Sequence, residues 1–366
     1  MVKITHAVNY LFCLLLIMNS GYLHARKEKR HLYWVGPLVS QNKLVAVAPS
    51  SDIFCLDSVK GTLLWKASLN DIVGDKVICV AQPVISENKI VLATERMWVV
   101  CLNLENGTVV WKLNNLQGRT VCLRGVTETI VILSNSNQHN TVLTALNLNS
   151  GNRLWQIPLP GCEEYLTVFN NEKIVTRTLE GKLISIPLDG NPWETSFKSF
   201  DTKSLGFSAF LSVHRDKLIL CTYKGFIGKL TLRGEIEKRR IESNVLWRPI
   251  ICDNILITPL RNIGICSWDL SNLKQLWCNK RINVPSPQEG TVRLATNGKM
   301  LTYFRNKEVK CLDVISGDII WTAQMPEEIN GENPSMTEES INVTLSSGIL
   351  SMNADDGTTA WYFEVF

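Results

Sequence analysis

Residue types that could do chemistry are common in this sequence, but their spacing forms no recognisable catalytic or metal site. The 11 cysteines and 5 histidines give no Cys-x-x-Cys pair, no adjacent cysteines and no spacing typical of zinc ligands. Gly-x-Ser-x-Gly, P-loop and His-Glu-x-x-His motifs are also missing from the sequence. The sequence therefore favours a protein that is not an enzyme, with no cofactor, no metal and no small-molecule substrate.

The cysteines are better explained as small buried side chains. Cys55, Cys101 and Cys311 occupy the same position of a repeat that is described below. A cysteine placed by a repeat usually fills a core as a small apolar residue. Cys13 lies outside the repeat, in an apolar N-terminal run. We therefore expect most of the cysteines to be free thiols, and we predict no disulfide framework.

The composition is that of a globular protein with a large core. Hydrophobic residues make up 45% of the chain and charged residues 20%, which excludes a disordered chain, a collagen and a coiled coil. The 38 basic and 34 acidic residues leave a net charge of +4. Because the charges are so nearly balanced, the sequence gives no indication of nucleic-acid binding.

The strongest signal is an internal repeat that ends in tryptophan. In five copies an Asp or Asn is followed four residues later by Gly, and four residues after that by Trp. These copies are Asp57-Gly61-Trp65, Asn103-Gly107-Trp111, Asn147-Gly151-Trp155, Asp313-Gly317-Trp321 and Asn353-Gly357-Trp361. A sixth copy, from Asp269 to Trp277, has Leu273 in place of Gly. Two degenerate copies, at Leu188 and Leu232, keep the turn without the Trp.

Each copy predicts a turn between two β-strands. Asp or Asn opens the turn because its side chain can bond its own backbone, and Gly supplies the positive φ that closes it. The following strand places Trp where neighbouring sheets meet, where the ring buries a large apolar area and the indole N–H can bind backbone. Upstream, pairs of β-branched runs separated by short polar turns predict hairpins, as in residues 36–39 with 43–47.

Eight such units, at intervals of roughly 40 residues, predict an all-β fold, namely an eight-bladed β-propeller of four-stranded blades. A TIM barrel is also eightfold, but it needs a helix after each strand. An open β-solenoid is the remaining alternative. Radial closure is favoured over it because closure protects the edges of the sheets.

The N-terminus predicts an exported protein. Residues 1–25 contain an apolar run that is too short to span a bilayer comfortably and that is typical of a secretory signal peptide. Residues 26–31 form a short basic linker, and residues 32–366 form a single propeller domain. The basic residues after the apolar run leave open an alternative, in which the segment is a retained membrane anchor.

The Asp/Asn-x-x-x-Gly-x-x-x-Trp unit resembles the tryptophan-docking repeat of PQQ-type propellers, over nearly all of residues 32–366. The length and the missing vicinal cysteine pair make the chain similar to the BamB family rather than to the quinoprotein alcohol dehydrogenases. The resemblance implies a periplasmic, non-enzymatic scaffold that binds a BamA-like barrel-assembly protein at the outer membrane. No lipid anchor is evident. A PQQ-dependent dehydrogenase and a membrane-anchored interaction module remain alternatives.

One segment resembles a contact motif of that family. The stretch Leu123-Arg124-Gly125 is similar to a Leu-Arg-Gly sequence in an inter-blade loop of BamB. The resemblance implies that Leu123 is an apolar anchor and that Arg124 is a charge-assisted hydrogen-bond donor to the partner. A strand that happens to contain these three residues is the alternative. The basic run at residues 238–240 and the acidic stretch at residues 325–337 are interpreted as solvated loops.

Overall fold

The computed structural model describes a ring of antiparallel sheets. It covers residues 33–114, 119–126, 128–137, 140–160, 162–169, 173–178, 183–189, 209–214, 217–222, 225–231, 236–241, 243–245, 247–286, 289–331 and 333–365. The predicted signal peptide and the basic linker lie outside these residues. The division of the chain into signal, linker and propeller domain therefore stays a prediction.

Each sheet is a meander in which strands pair in chain order. The first two sheets hold β1 (Val35–Ser40), β2 (Lys43–Val47), β3 (Asp52–Asp57), β4 (Leu63–Ser68), β5 (Val84–Ser86), β6 (Lys89–Ala93), β7 (Trp98–Asn103) and β8 (Val109–Asn114). The next two hold β9 (Arg119–Val126), β10 (Thr129–Asn137), β11 (Asn140–Asn147), β12 (Arg153–Pro160), β13 (Cys162–Phe169), β14 (Lys173–Thr178) and β15 (Leu183–Pro187).

The second half of the chain repeats the pattern. The fifth and sixth sheets hold β16 (Ala209–His214), β17 (Lys217–Thr222), β18 (Phe226–Thr231), β19 (Ile236–Arg240), β20 (Ile250–Cys252), β21 (Ile255–Leu260), β22 (Gly264–Asp269) and β23 (Gln275–Asn279). The last two hold β24 (Val292–Thr296), β25 (Met300–Arg305), β26 (Glu308–Asp313), β27 (Ile319–Gln324), β28 (Ser335–Met336), β29 (Ser340–Thr344), β30 (Gly348–Asn353) and β31 (Thr359–Glu364).

The prediction of an all-β propeller with four-stranded blades is confirmed, but the predicted number of eight such blades is wrong. Within the described residues seven sheets have four strands, and the sheet β13–β15 has three. We number the sheets one to eight in chain order. The exceptional fourth sheet belongs to the degenerate copy at Leu188. That copy was counted as a full unit from its turn alone, and the residues that follow Asp189, from 190 to 208, lie outside the described part of the chain.

A single short helix lies among the described residues, between the first and second blades. Helix α1 (Leu69–Val73) begins after Ser68, whose hydroxyl accepts a hydrogen bond from the Asp71 N–H, as an N-cap residue does. It ends at Gly74 in the left-handed conformation. In the part of the chain described, no helix is both long enough and apolar enough to cross a membrane.

The hydrophobic core is distributed around the ring, in the interfaces between adjacent blades. Ile53 and Leu102, for example, lie in one buried cluster that joins the first blade to the second. Leu44, Phe54 and Ile349 lie in another, which joins the first blade to the last. Each blade therefore buries its apolar faces against two neighbours, and the stability of the ring depends on these junctions.

Most of the described cysteines are buried free thiols, as predicted. Burial raises the pKa of Cys55, Cys101 and Cys311 to about 12, so these thiols are neutral and unreactive at ordinary pH. Cys266 and Cys278 differ, because they form a disulfide between β22 and β23. The prediction did not include this bond. Sequence spacing could not reveal it, since the pairing of the strands puts the two residues opposite each other.

Candidate functional site

The repeated turn is built from the side chain of its first residue. In the first blade the Asp57 carboxylate accepts hydrogen bonds from the backbone N–H groups of Val59 and Lys60. These bonds to backbone N–H groups hold the pKa of the Asp57 carboxyl below its usual range. Gly61 closes the turn with a φ of 69° and donates its N–H to the Asp57 carbonyl at 2.9 Å.

The tryptophan of one blade docks on this turn in the next blade. The Trp65 indole donates its N–H to the Leu104 carbonyl at 3.0 Å, and its ring covers Gly107. A Cβ at Gly107 would lie 2.6 Å from the ring, so the position needs Gly for space as well as for its φ of 71°. The same indole-to-backbone bond is made by Trp111 to Leu148, Trp155 to Leu188, Trp277 to Val314, Trp321 to Ala354 and Trp361 to Ser58.

The bond from Trp361 closes the ring, because it joins the last blade to the first. The outer strand of the last blade, β31, is supplied by the C-terminal residues of the chain themselves. The first blade is likewise complete with its own four strands. Among the described residues, the ring therefore closes by docking of the last blade on the first, and the two blades exchange no strand.

The junction between the fifth and sixth blades is built differently. Lys229, which is 4% exposed, donates to the Ser271 carbonyl at 2.6 Å and pairs with Glu237 at 2.6 Å. Arg239 donates to the Leu273 carbonyl at 3.0 Å and lies over the Trp268 ring. Charged side chains of the fifth blade thus bind the turn of the sixth blade, where a tryptophan does so at other junctions.

A cavity lies where the first strands of the blades meet. Its volume is about 450 Å³, and residues of β1, β5 and β9 line it together with Arg248, which directly precedes the sixth blade. The apolar part of its wall includes Leu38 and Val84, and the polar part includes Gln82, Arg124 and Arg248. Since first strands of several blades contribute, the cavity is on the axis of the ring; we call it the axial cavity.

The structure places the Leu123-Arg124-Gly125 motif in β9, the first strand of the third blade, and not in an inter-blade loop. Leu123 is 1% exposed and packs in the core between the second and third blades, so it offers no surface to a partner. Arg124 is half-buried at the axial cavity and donates to the Leu123 carbonyl at 2.7 Å. A Cβ at Gly125 would come 2.5 Å from Val84, so Gly here allows close packing against β5.

The two charged stretches that the sequence marked as solvated loops are partly built into the fold. Residues 238–240 belong to β19, where Arg239 binds the next blade. In the acidic stretch, Met325 is buried, Ile329 pairs with Leu345, and Asn330 donates its backbone N–H to Thr344 at 2.9 Å. Both interpretations were therefore wrong in part, because local charge does not reveal contacts with distant blades.

The acidic side chains of the repeat form hydrogen bonds within their own turns and do not cluster with one another. Besides Asp57, Asp269 and Asp313 accept backbone N–H bonds within their own turns, and Asp356 binds Thr358. In the described ranges, no group of at least three His, Cys, Asp or Glu residues is placed to hold a metal ion. These residues do not fit the calcium and quinone site that a dehydrogenase of this fold would need.

Sequence reasoning missed the axial cavity and two of its polar residues, Gln82 and Arg248. A signal was present, because each directly precedes a proline at the start of a first strand. Gly36-Pro37 and Asn333-Pro334 occupy the same place in other blades. The residue before proline is held extended, so side chains at this position share one level of the ring.

Fold and repeat define the class of this protein, a PQQ-type β-propeller with tryptophan-docked blades. The model of the family described as outer membrane protein assembly factor BamB matches residues 26–224 and 266–365. The chain therefore belongs to the BamB family. No curated protein sequence matches it.

Solved structures agree in fold at low sequence identity. BamB from Moraxella catarrhalis is 13% identical, with a TM-score of 0.64 over 88% of this chain and 96% of that one. Quinohemoprotein alcohol dehydrogenase from Comamonas testosteroni is 11% identical, with a TM-score of 0.61 over 91% of this chain and 74% of that one. The computationally designed protein Ika8 is 13% identical, with a TM-score of 0.65, over 91% and 97%. At such identities, the likeness establishes the fold alone.

Proposed function

We propose that this protein is a non-enzymatic scaffold subunit in the assembly and insertion of β-barrel proteins into the bacterial outer membrane. The observation that carries the proposal is the match of the BamB family model over most of the chain. In this role the protein is periplasmic, lies at the inner face of the outer membrane and binds a BamA-like barrel-assembly protein.

Exposed aliphatic side chains on the outer strands support a protein-binding role. Leu64, Val110, Leu154, Leu276 and Ile320 each directly precede a docked tryptophan, and all are exposed, Leu154 to 51%. The repeat places one of these side chains at the same position of each outer strand, directly before its tryptophan. Apolar surface of this kind commonly marks sites of protein association.

Of the predicted contact pair Leu123 and Arg124, we propose that Arg124 is the residue that binds the partner. It is half-buried at the axial cavity, and a guanidinium is the side-chain group best suited to recognise a carboxylate. Leu123 supports the same region from within the core, by fixing the course of β9. A partner that approaches the axis of the ring would meet Arg124 and not Leu123.

The test is a pull-down of the tagged, full-length protein from native membranes in mild detergent, followed by mass spectrometry. We expect an outer-membrane barrel-assembly protein with repeated periplasmic domains to be recovered with it. A variant with Leu64→Ser, Val110→Ser and Leu154→Ser should fold, because all three side chains are exposed, and should recover less of that partner. Recovery of an unrelated complex instead would overturn the proposal.

The same preparation tests the alternative of a quinoprotein dehydrogenase, which the fold alone suggests. Purified protein is mixed with PQQ, calcium and primary alcohols, and the reduction of an artificial electron acceptor is followed. The scaffold proposal expects no reduction above that of heat-denatured protein. Alcohol-dependent reduction that requires both PQQ and calcium would contradict the non-enzymatic role.

A further inference from the structure

The junction between blades eight and one differs from the others in the chemistry of one of its two surfaces. We infer that the propeller opens reversibly at this junction while the rest of the ring stays folded. We call the surface of blade eight that packs on blade one the closing face. Its polar members are Ser335, Asn342, Thr344 and Ser351. Ile341 and Val343 alternate with them along β29 and pack against blade seven instead.

A row of residues across each sheet shows the difference. In the six described blades that dock a tryptophan, this row consists of the residues on the first three strands that pair in register with the tryptophan. The rows of the first two blades are apolar, with Leu38, Val45 and Cys55 in blade one, and Val84, Val91 and Cys101 in blade two. The rows of blades three, six and seven each hold one polar or charged residue, namely Arg124, Ser267 and Thr302. The row of blade eight holds three, namely Ser335, Asn342 and Ser351.

The polar atoms of the closing face are buried without a partner. Asn342, Thr344 and Ser351 are fully buried. Within the described part of the chain, the Asn342 Oδ1, the Thr344 Oγ1 and the Ser351 Oγ accept or donate no hydrogen bond. Blade one presents apolar side chains to this junction, among them Leu44 and Phe54. Since a buried polar group without a partner loses the free energy of its hydrogen bonds to water, the closing face opposes the closed state.

The chain itself does not span this junction. Blades one and eight lie at opposite ends of the described chain, whereas the other neighbouring blades follow one another in it. The backbone bond from the Trp34 N–H to the Asn330 carbonyl is long, at 3.4 Å. Docking of Trp361 on Gly61 holds the junction closed. Opening therefore needs only the loss of contacts between two blades, and no blade has to unfold.

The experiment places a thiol on the closing face. Ser351→Cys gives blade eight the residue that three other rows have at this position, so the variant should fold. Those native thiols, Cys55, Cys101 and Cys311, are fully buried at other junctions and are the matched controls. Purified full-length protein is treated with iodoacetamide under native conditions, and peptide mass spectrometry follows the labelling of each thiol. We expect the new thiol to be labelled about tenfold faster than the controls, because local opening exposes it alone and global unfolding exposes all four.

Two further substitutions test whether the polar row is the cause. In the Ser351→Cys background, Asn342→Val introduces the residue that blades one and two have in this place, and it should slow labelling of the new thiol several-fold. Val91→Thr is the reciprocal change in blade two, which keeps the shape of the side chain and adds a hydroxyl. It should speed labelling of Cys101 several-fold and leave Cys311 unchanged. Rates are compared between thiols of one variant, so a change in global stability does not affect the comparison.

The inference is overturned if the thiol at position 351 reacts no faster than the three controls, because global unfolding alone would then expose it. It is overturned as well if Asn342→Val speeds that reaction, since the polar row would then stabilise the closed ring. No change at Cys101 in Val91→Thr would also contradict it. These rates involve no partner and do not depend on the proposed function. Failure of the opening therefore leaves the scaffold proposal intact, and a failed pull-down leaves the opening intact.

Discussion

The junction between blades one and two and the junction between blades five and six achieve the same contact with different chemistry. At the first, the Trp65 ring covers Gly107 and binds the Leu104 carbonyl. At the second, Lys229 and Arg239 bind the carbonyls of Ser271 and Leu273. In both, side-chain donors on the third or fourth strand of one blade satisfy backbone carbonyls in the turn of the next blade.

This difference between the two junctions explains why the copy from Asp269 to Trp277 has Leu273 where the other turns have glycine. Leu273 has a φ of 57°, close to that of the glycines in the other turns, so the backbone conformation alone does not require Gly. The docked ring adds the second requirement, because it occupies the space of a Cβ. Where no tryptophan docks, a side chain is tolerated, and Leu273 instead packs in the core between the blades.

The largest expected effect is at a tryptophan-docked junction. Trp65→Ala should lower the free energy of unfolding by about 3 kcal/mol, the low end for loss of a large aromatic side chain, because the ring is half-buried where it packs on Gly107. Trp65→Phe should cost less, since a phenyl ring keeps part of the contact with Gly107 although it loses the bond to Leu104. Chemical denaturation measures both. If both variants lost little stability, and to the same extent, docking of the tryptophan would contribute little to the stability of the propeller.

Replacement of the covered glycine should have the next largest effect. Gly107→Ala should cost about 2–4 kcal/mol, from the positive φ and from the clash with Trp65. Gly74→Ala is the matched control, because Gly74 has a similar φ of 76° and a Cβ there would meet nothing within 4 Å. Gly74→Ala should cost only about 1 kcal/mol, because it adds the strain of a positive φ without a clash. Equal losses of stability for Gly107→Ala and Gly74→Ala in chemical denaturation would contradict a role for the Trp65 side chain.

Mutations at the junction between blades five and six should have a smaller effect on stability, and that effect should depend on salt concentration. Lys229→Met should cost about 1–2 kcal/mol, because the Ser271 carbonyl loses its donor. Lys43→Met is the control, since Lys43 pairs with Glu105 at 2.8 Å across a junction that also has a docked tryptophan. We expect that variant to lose less stability. Thermal unfolding in low and high salt should separate the two, and equal losses would remove the distinction between the junctions.

The smallest effect concerns pH and compares turns opened by Asp with turns opened by Asn. The pKa of Asp57 is lowered in the folded protein, so its contribution to stability is present above the ordinary carboxyl value of 3.8 and is lost as the pH falls through the folded value. Asp57→Asn should reduce the loss of stability between pH 5 and pH 2, and Asn103→Asp should increase it. Denaturation at both pH values tests this, and unchanged profiles would contradict it.

Sequence reasoning predicted the parts of this fold that a local pattern determines. The Asp57, Gly61 and Trp65 pattern contains the turn and the docking contact, because each depends on residues within one repeat and on its neighbour. The number of complete blades was wrong, since the turn at Leu188 was counted without evidence for an outer strand. The Cys266–Cys278 bond was missed because strand pairing, rather than spacing, brings the two thiols together.

The candidate site was less predictable than the fold. Arg124 was noticed for its resemblance to a loop motif, but its position on the axis depends on closure of the whole ring. Leu123 was expected on the surface and lies in the core for the same reason. Gln82 and Arg248 are more than a hundred residues apart in the chain, and the proline that follows each of them was the one local sign that they share a level of the ring.

The bond from Trp361 to the Ser58 carbonyl joins residues that are 303 positions apart. During synthesis the first blade leaves the ribosome long before its last neighbour exists, so the turn at Gly61 has nothing to cover it until the final strand has been made. A contact of such high sequence separation forms late and slowly. The unfinished ring therefore exposes one apolar blade face for most of translation, and a chain that stopped before Trp361 would keep that face open.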